Sequence, residues 1–261
     1  MPDGRRLHYV SRGAGELVVV FESGLGGTRL DWGLVLDGVA VHTRAVAYDR
    51  AGLGRSDPDP SRRDVARLAE DLGHLLDGLG GSRFVLVGHS LGGPIIRACA
   101  ALRPERIAGL VLVDPADESL DMYYSLTHRL LVRGICLAAE LLSRAGYRTV
   151  PGGPRPAVPA AQWAGAEREL TSPAALRAAR REASALAGGL RSLRDHPVAL
   201  PPVPVTVISG TRSRAPLVAA HRAFAAALPH GRHVLAQRSG HMVHHDQPDL
   251  VLAEIAKLTG Q

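Results

Sequence analysis

The stretch FVLVGHSLGGP, residues 84–94, sets an apolar run against a serine fenced by glycines at 88, 92 and 93. The run has the length and branched content of a buried strand, and PIIRACAALRP (94–104) begins a helix directly behind Ser90. In a tight strand-to-helix turn, side chains at 88 and 92 would collide with neighbouring backbone, whereas glycines there let the hydroxyl project. The helix behind the serine points free N–H groups and its positive end towards any oxyanion that develops. Ser90 is therefore the candidate nucleophile, and the N–H of Leu91 the first candidate oxyanion donor. His89, adjacent on the turn, must point away from the serine and is expected to pack.

Outward from this point, short apolar runs alternate with longer helical patterns, which specifies a mostly parallel sheet covered on both faces. Strands are expected at RLHYVSR (6–12), LVVVFES (17–23), TRAVAYD (43–49), FVLVGHS (84–90), GLVLVDP (109–115), VPVTVIS (203–209) and RHVLAQ (232–237). The spacing of Val65, Leu68, Leu72, Leu75, Leu76 and Leu79 predicts a helix over 63–80. The alternation breaks over 116–196, where amphipathic patterns at roughly 124–145 and 173–194 flank the proline- and glycine-rich VPGGPRPAVP (150–159). This interval reads as a helical lid inserted into a core made of residues 1–115 and 197–261.

The 261 residues suffice for one large α/β domain with such an insertion. No apolar run approaches the roughly 18 residues of a membrane span. The start MPDGRRLHYV lacks an apolar signal stretch, and Cys99 and Cys136 give no disulfide framework, so a reduced, cytoplasmic protein is expected. The net charge of +6 comes from 31 basic residues of which only Lys257 is a lysine. The arginines are scattered rather than clustered, and 4% aromatic content offers few stacking platforms, which argues against nucleic acid as a partner.

A serine hydroxyl needs a base. His241, in SGHMVHHDQPDL (239–250), follows the last strand after a short turn and so lies at the same sheet edge as Ser90. HMVHH has spacing that could clasp a metal, but no cysteine or acidic cluster completes a site, so no metal is expected. His244 and His245 are left as surface or helix-capping residues. A second oxyanion donor is expected from the Gly-rich turn in FESGLGGTRLDW (21–32), at the N–H of Leu25.

SGLGG (23–27), YDRAGLGRSD (48–57), GHSLGG (88–93), LVLVDPA (110–116) and SGHMVHHDQPDL (239–250), in this order, resemble the serine α/β-hydrolases over nearly the whole chain. The resemblance implies a Ser–acid–His triad in chain order and no cofactor. Many members carry His before Gly in the oxyanion loop, where this chain has Ser23 before Gly24. Members most often place the triad acid after the seventh strand, yet ISGTRSRAPLV (208–218) contains none, and neither Asp nor Glu occurs from His196 through His245. Others place it at the end of the sixth strand, which here reads GLVLVDPADESLD (109–121). Asp114 is the candidate acid, with Asp117, Glu118 and Asp121 as alternatives. Asp49 and Arg50 fall outside the triad order and read as a turn held by its charged pair, with Arg50 bordering the site.

The expected chemistry is acyl transfer on a small-molecule carboxylic ester or lactone, in an apolar pocket walled by lid leucines, Tyr123, Tyr124 and Trp163. Other triad reactions (thioester, amide, C–C cleavage or cofactor-free haloperoxidation) remain open, as does a silent ligand-binding protein. Serine at 90 argues against dehalogenase and epoxide-hydrolase chemistry, which use a carboxylate nucleophile.

Overall fold

In a computed structural model, which describes residues 1–150, 153 and 155–260, seven strands form one sheet in the order β1-β3-β2-β4-β5-β6-β7. They are β1 (Tyr9–Arg12), β2 (Leu17–Glu22), β3 (Arg44–Tyr48), β4 (Arg83–His89), β5 (Ile107–Val113), β6 (Val205–Gly210) and β7 (Gly231–Ala236). Only β1 runs antiparallel, paired with β3, and it is shorter than the predicted 6–12. The other pairings are parallel.

The helices are α1 (Gly33–Ala40), α2 (Val65–Leu79), α3 (Gly92–Leu102), α4 (Leu126–Arg144), α5 (Ala160–Leu170), α6 (Pro173–Asp195), α7 (Ala215–Ala226), α8 (Val243–Asp246) and α9 (Pro248–Thr259). Alternation along β2 shows why both faces must be covered. Val18 and Val20 pack with α2 and α3, whereas Val19 and Phe21 pack with Trp32, α1 and α9. All four are fully buried, so the unbroken run LVVVF serves two cores at once. Asp64 caps α2 by accepting from the Arg67 N–H at 3.1 Å, and Gly80 ends it in the left-handed region at φ 71°.

Between β5 and β6 the chain runs through α4, α5 and α6, with α4 packed along α6. The outer face of α4 leaves Leu126, Leu130, Leu131, Ile135 and Leu141 exposed. α5 was not expected: AAQWAGAEREL is rich in alanine and carries little apolar periodicity. Of the stretch 150–159, residues 151, 152 and 154 lie outside the described residues; Gly153 and 155–159 are non-helical. Among the described residues no helix is long and apolar enough to cross a membrane.

Candidate active site

The parallel strands carry the candidate groups to one edge of the sheet. Ser90 follows β4 at φ 51°, a left-handed conformation rare for a side-chain-bearing residue. It persists because the surroundings fix both of its peptide groups: its N–H donates to Val113 O at 3.1 Å, and its carbonyl accepts from Ala116 N at 2.9 Å and Gly93 N at 3.0 Å. A Cβ on Gly88 would come within 2.6 Å of Gly92 O, and one on Gly92 within 2.4 Å of Glu22 O. Glycine at these two positions is thus a packing requirement of the turn.

Asp114 directly follows β5 at φ 42° and is fully buried. Its Oδ2 accepts from His241 Nδ1 at 2.7 Å and from Ser213 Oγ at 2.9 Å, and its Oδ1 accepts from Gly210 N at 3.1 Å. The end of β6 and the acid-free loop after it therefore supply two donors that hold an acid from the neighbouring strand's end. Ser213 and Gly210 were not singled out from the sequence; the signal was a hydroxyl in the loop where a carboxylate was missing.

The alternatives to Asp114 are engaged elsewhere. Asp117 Oδ1 accepts from the N–H and hydroxyl of Ser119 at 2.9 and 2.6 Å. Glu118 forms a two-point pair with Arg97 at 2.8 and 2.6 Å, and Asp121 lies exposed beside Arg194 at 3.3 Å.

The bond from Nδ1 to a carboxylate fixes the His241 tautomer, leaving the Nε2 lone pair available. His89 packs behind it as expected. Its Nε2–H donates to His241 O at 2.9 Å, and the two rings lie 4.6 Å apart. Ser90, His241 and Asp114 line one cavity of about 470 Å³ together with Leu25 and Leu91, the two candidate oxyanion donors. Ala116, Met122, Val132, Leu186 and Leu217 make its wall largely apolar, with Arg212 and Arg214 at one side.

Tyr123 lines this cavity, but the expectation for Tyr124 and Trp163 needs correction. Tyr124 donates to Glu118 O at 2.7 Å and stacks under the Arg194 guanidinium at 4.1 Å, while Trp163 sits on α5, outside the cavity lining. Asp49 holds the turn by accepting from the Arg55 N–H at 3.1 Å, though it does not pair with Arg50. Asp49 pairs with Arg29, whereas Arg50 pairs with Glu22 and Glu182 beneath the 23–27 loop. Ser23, the departure in that loop, donates to Thr28 O at 2.8 Å and accepts from Trp32 Nε1 at 3.0 Å, which ties the turn to the helix that follows.

His244 is not a surface residue. It is fully buried, its ring tilted against Trp32 at 4.6 Å and His89 at 4.3 Å, and neither ring nitrogen has a hydrogen-bond partner among the described residues. His245 is half-buried and donates from Nε2 to Asp31 O at 3.1 Å. Burial, reinforced by neighbouring histidines, holds the His244 and His89 rings well below the ordinary value of 6.5. Both are neutral in the folded protein, whereas the unfolded chain takes up their protons as pH falls through 6.5. Stability therefore rises with pH in that window and is lost on acidification. His244→Phe is expected to make the fall in unfolding free energy from pH 7 to pH 5 shallower, by up to about 1.4 kcal/mol per pH unit. Urea unfolding at pH 7, 6 and 5 reads this slope, and parallel slopes would refute a neutral buried His244.

Residues 19–254 match the model of the alpha/beta hydrolase family. RutD of Azorhizobium caulinodans, assigned by name to carbamate hydrolysis, is 31% identical over 129 residues, 48% of this chain and 48% of that protein. RutD of Caulobacter vibrioides is 37% identical over 112 residues, 41% of this chain and 42% of its own length. The matched segments thus span about half the length of these curated relatives. Among solved structures, the epoxide hydrolase CorEH superposes with a TM-score of 0.78 at 20% identity, covering 99% of this chain and 96% of that one. At that identity the likeness is one of fold. With a family match over residues 19–254, this chain belongs to the alpha/beta hydrolase family.

Proposed function

We propose that this hydrolase cleaves a small or medium, mostly apolar carboxylic ester or lactone through an acyl-enzyme on Ser90. The observation that carries the reading is the 2.7 Å contact of His241 Nδ1 with the buried Asp114, on the same cavity as a serine at φ 51°. His241 Nε2 takes the Ser90 proton as the oxygen attacks the carbonyl carbon. The N–H groups of Leu25 and Leu91 then hold the oxyanion. Collapse expels the alcohol, which takes the proton from His241, and water repeats the sequence to release the acid. Asp114 keeps Nδ1 protonated and stabilises the imidazolium. The helices of 116–196 act as a lid, contributing Met122, Tyr123, Val132 and Leu186 to the cavity.

The cavity of about 470 Å³, walled by Met122, Val132, Leu186 and Leu217, suits a small or medium apolar ester. The carbamate assigned to the relatives carries a carbonyl open to the same attack, so it is the natural second substrate class. Purified protein is expected to hydrolyse p-nitrophenyl butyrate faster than the decanoate, and δ-valerolactone faster than a matched p-nitrophenyl carbamate. Carbamate turnover above both would move the substrate class. Absence of turnover on all of them would refute a hydrolytic site and favour a ligand-binding protein.

A further inference from the structure

Arg50 and Glu182 form a buried assembly beneath the 23–27 loop. Arg50 uses all five of its N–H donors: two on Glu182 at 2.9 and 2.8 Å, one on Glu22 at 2.6 Å, and one each on the carbonyls of Ser23 and Gly24 at 2.7 Å. Glu182, from the middle of α6, accepts four bonds: those two, Arg63 Nη2 at 2.6 Å and the Gly26 N–H at 2.9 Å. Tyr48 donates to the second oxygen of Glu22. Arg50 and Glu182 are 3% and 0% exposed, so neither draws on solvent for partners. Burial alone would raise the Glu182 carboxyl, but the charges of Arg50 and Arg63 outweigh it and take it down to about 2. The carboxylate is thus a fixed charge across the working pH range.

The geometry bears on one peptide group in particular. The Gly24 carbonyl and the Leu25 N–H belong to the same planar trans peptide, in which the C=O and N–H bonds point in opposite directions and their dipoles add. Gly24 O also accepts from the Gly27 N–H at 2.9 Å, so the guanidinium that grips it acts together with the turn of the loop to fix the direction of the Leu25 N–H. The guanidinium also polarises that peptide, which strengthens the N–H as a donor. The next peptide is anchored through its own N–H, on Gly26, by Glu182. Both peptide planes flanking the Leu25 Cα are held, one by each partner of a single ion pair.

We infer that Arg50 and Glu182 are positioning residues that aim and polarise the Leu25 N–H, so that α6 of the 116–196 segment is part of the scaffold of the oxyanion hole. This rests on the acyl-transfer reading of the site. Withdrawal of α6 removes Glu182 from the Gly26 N–H and from Arg50 together, so seating of this segment and assembly of the hole are one event. The sequence hides the device because RREASAL reads as a solvated helical face.

The test compares full-length wild type with Glu182→Gln, Glu182→Asp and Glu140→Gln. Glu140 is a second buried carboxylate of the same segment, paired with Arg144 on α4 and Arg180 on α6 rather than with the 23–27 loop. With p-nitrophenyl butyrate, Glu182→Gln is expected to lower kcat by about 10- to 100-fold, short of the loss for deleting a donor outright, with KM within about threefold. The inhibition constant of a trifluoromethyl ketone, which forms an oxyanion on the serine, is expected to rise by the factor by which kcat/KM falls. Glu182→Asp, which keeps the charge but is one methylene shorter, reads the same two quantities should the Gln variant not fold, and the same joint loss is expected. Glu140→Gln is expected to leave both unchanged. Equal losses in Glu140→Gln and the Glu182 variants, a KM effect without a kcat effect, or kcat within twofold of wild type would overturn the inference. A wild type that turns over no ester would overturn the acyl-transfer reading itself, and the two failures are distinguishable.

Discussion

Replacing Asp114 with Asn is expected to lower kcat on p-nitrophenyl butyrate by about 10⁴-fold with thermal unfolding little changed. Asn has the shape of Asp, and its oxygen can still accept from the Gly210 N–H, which lies 3.1 Å from Oδ1 in the native protein. The other terminal group, facing His241 Nδ1, becomes an amide NH₂ and donates where the carboxylate accepted. The imidazole then carries its proton on Nε2, and the lone pair that should receive the Ser90 proton is gone. The damage is to a tautomer and to a compensating charge, while the polypeptide keeps its packing. Circular dichroism and a melting curve establish the second point, and initial rates the first. Full activity in Asp114→Asn, with loss in Asp117→Asn or Asp121→Asn, would move the acid to a residue that the geometry pairs elsewhere.

Ser90→Ala and His241→Ala are each expected to reduce kcat by about 10⁶-fold, and the double variant is expected to be no worse than either alone. The two groups act in one proton-coupled attack, so once either is missing the other has nothing to do. The residual rate comes from binding and from the backbone donors, which neither substitution touches. Losses that multiply in the double variant would mean that serine and histidine act in separate steps. Alanine at 90 also has to adopt φ 51°, so its melting temperature should be read alongside the rates.

Much of this arrangement is legible in the chain, and the reason is local. LVVVF, FVLVGHS and GLVLVDP are runs long enough to be buried on both faces, and β2, β4 and β5 fall within two residues of the expected limits. The turn at Ser90 is legible because the glycines that make it possible are its immediate neighbours. Asp114 is reached in the sequence only through what the resemblance implies, since its donors come from Gly210 and Ser213, 96 and 99 residues away.

What the sequence conceals is burial created by distant partners. His244 lies in a polar stretch, HMVHHDQP, and is buried because Trp32 and His89 close around it. Glu182 stands between charged neighbours on α6, and its partner Arg50 is 132 residues earlier. Neither a period of 3.6 nor a motif reports such pairs. The helix at Ala160–Leu170 was missed for a different reason: alanine and glycine give it almost no apolar stripe to detect.

Ser90 Oγ is the atom proposed to take the acyl group. The most direct test is the intact mass of the protein after brief exposure to a fluorophosphonate, followed by peptide mapping. One adduct per chain is expected, on the peptide containing Ser90, absent from Ser90→Ala and slowed strongly in His241→Ala and Asp114→Asn. No adduct on the wild-type protein, or an adduct that persists in Ser90→Ala, would contradict the account.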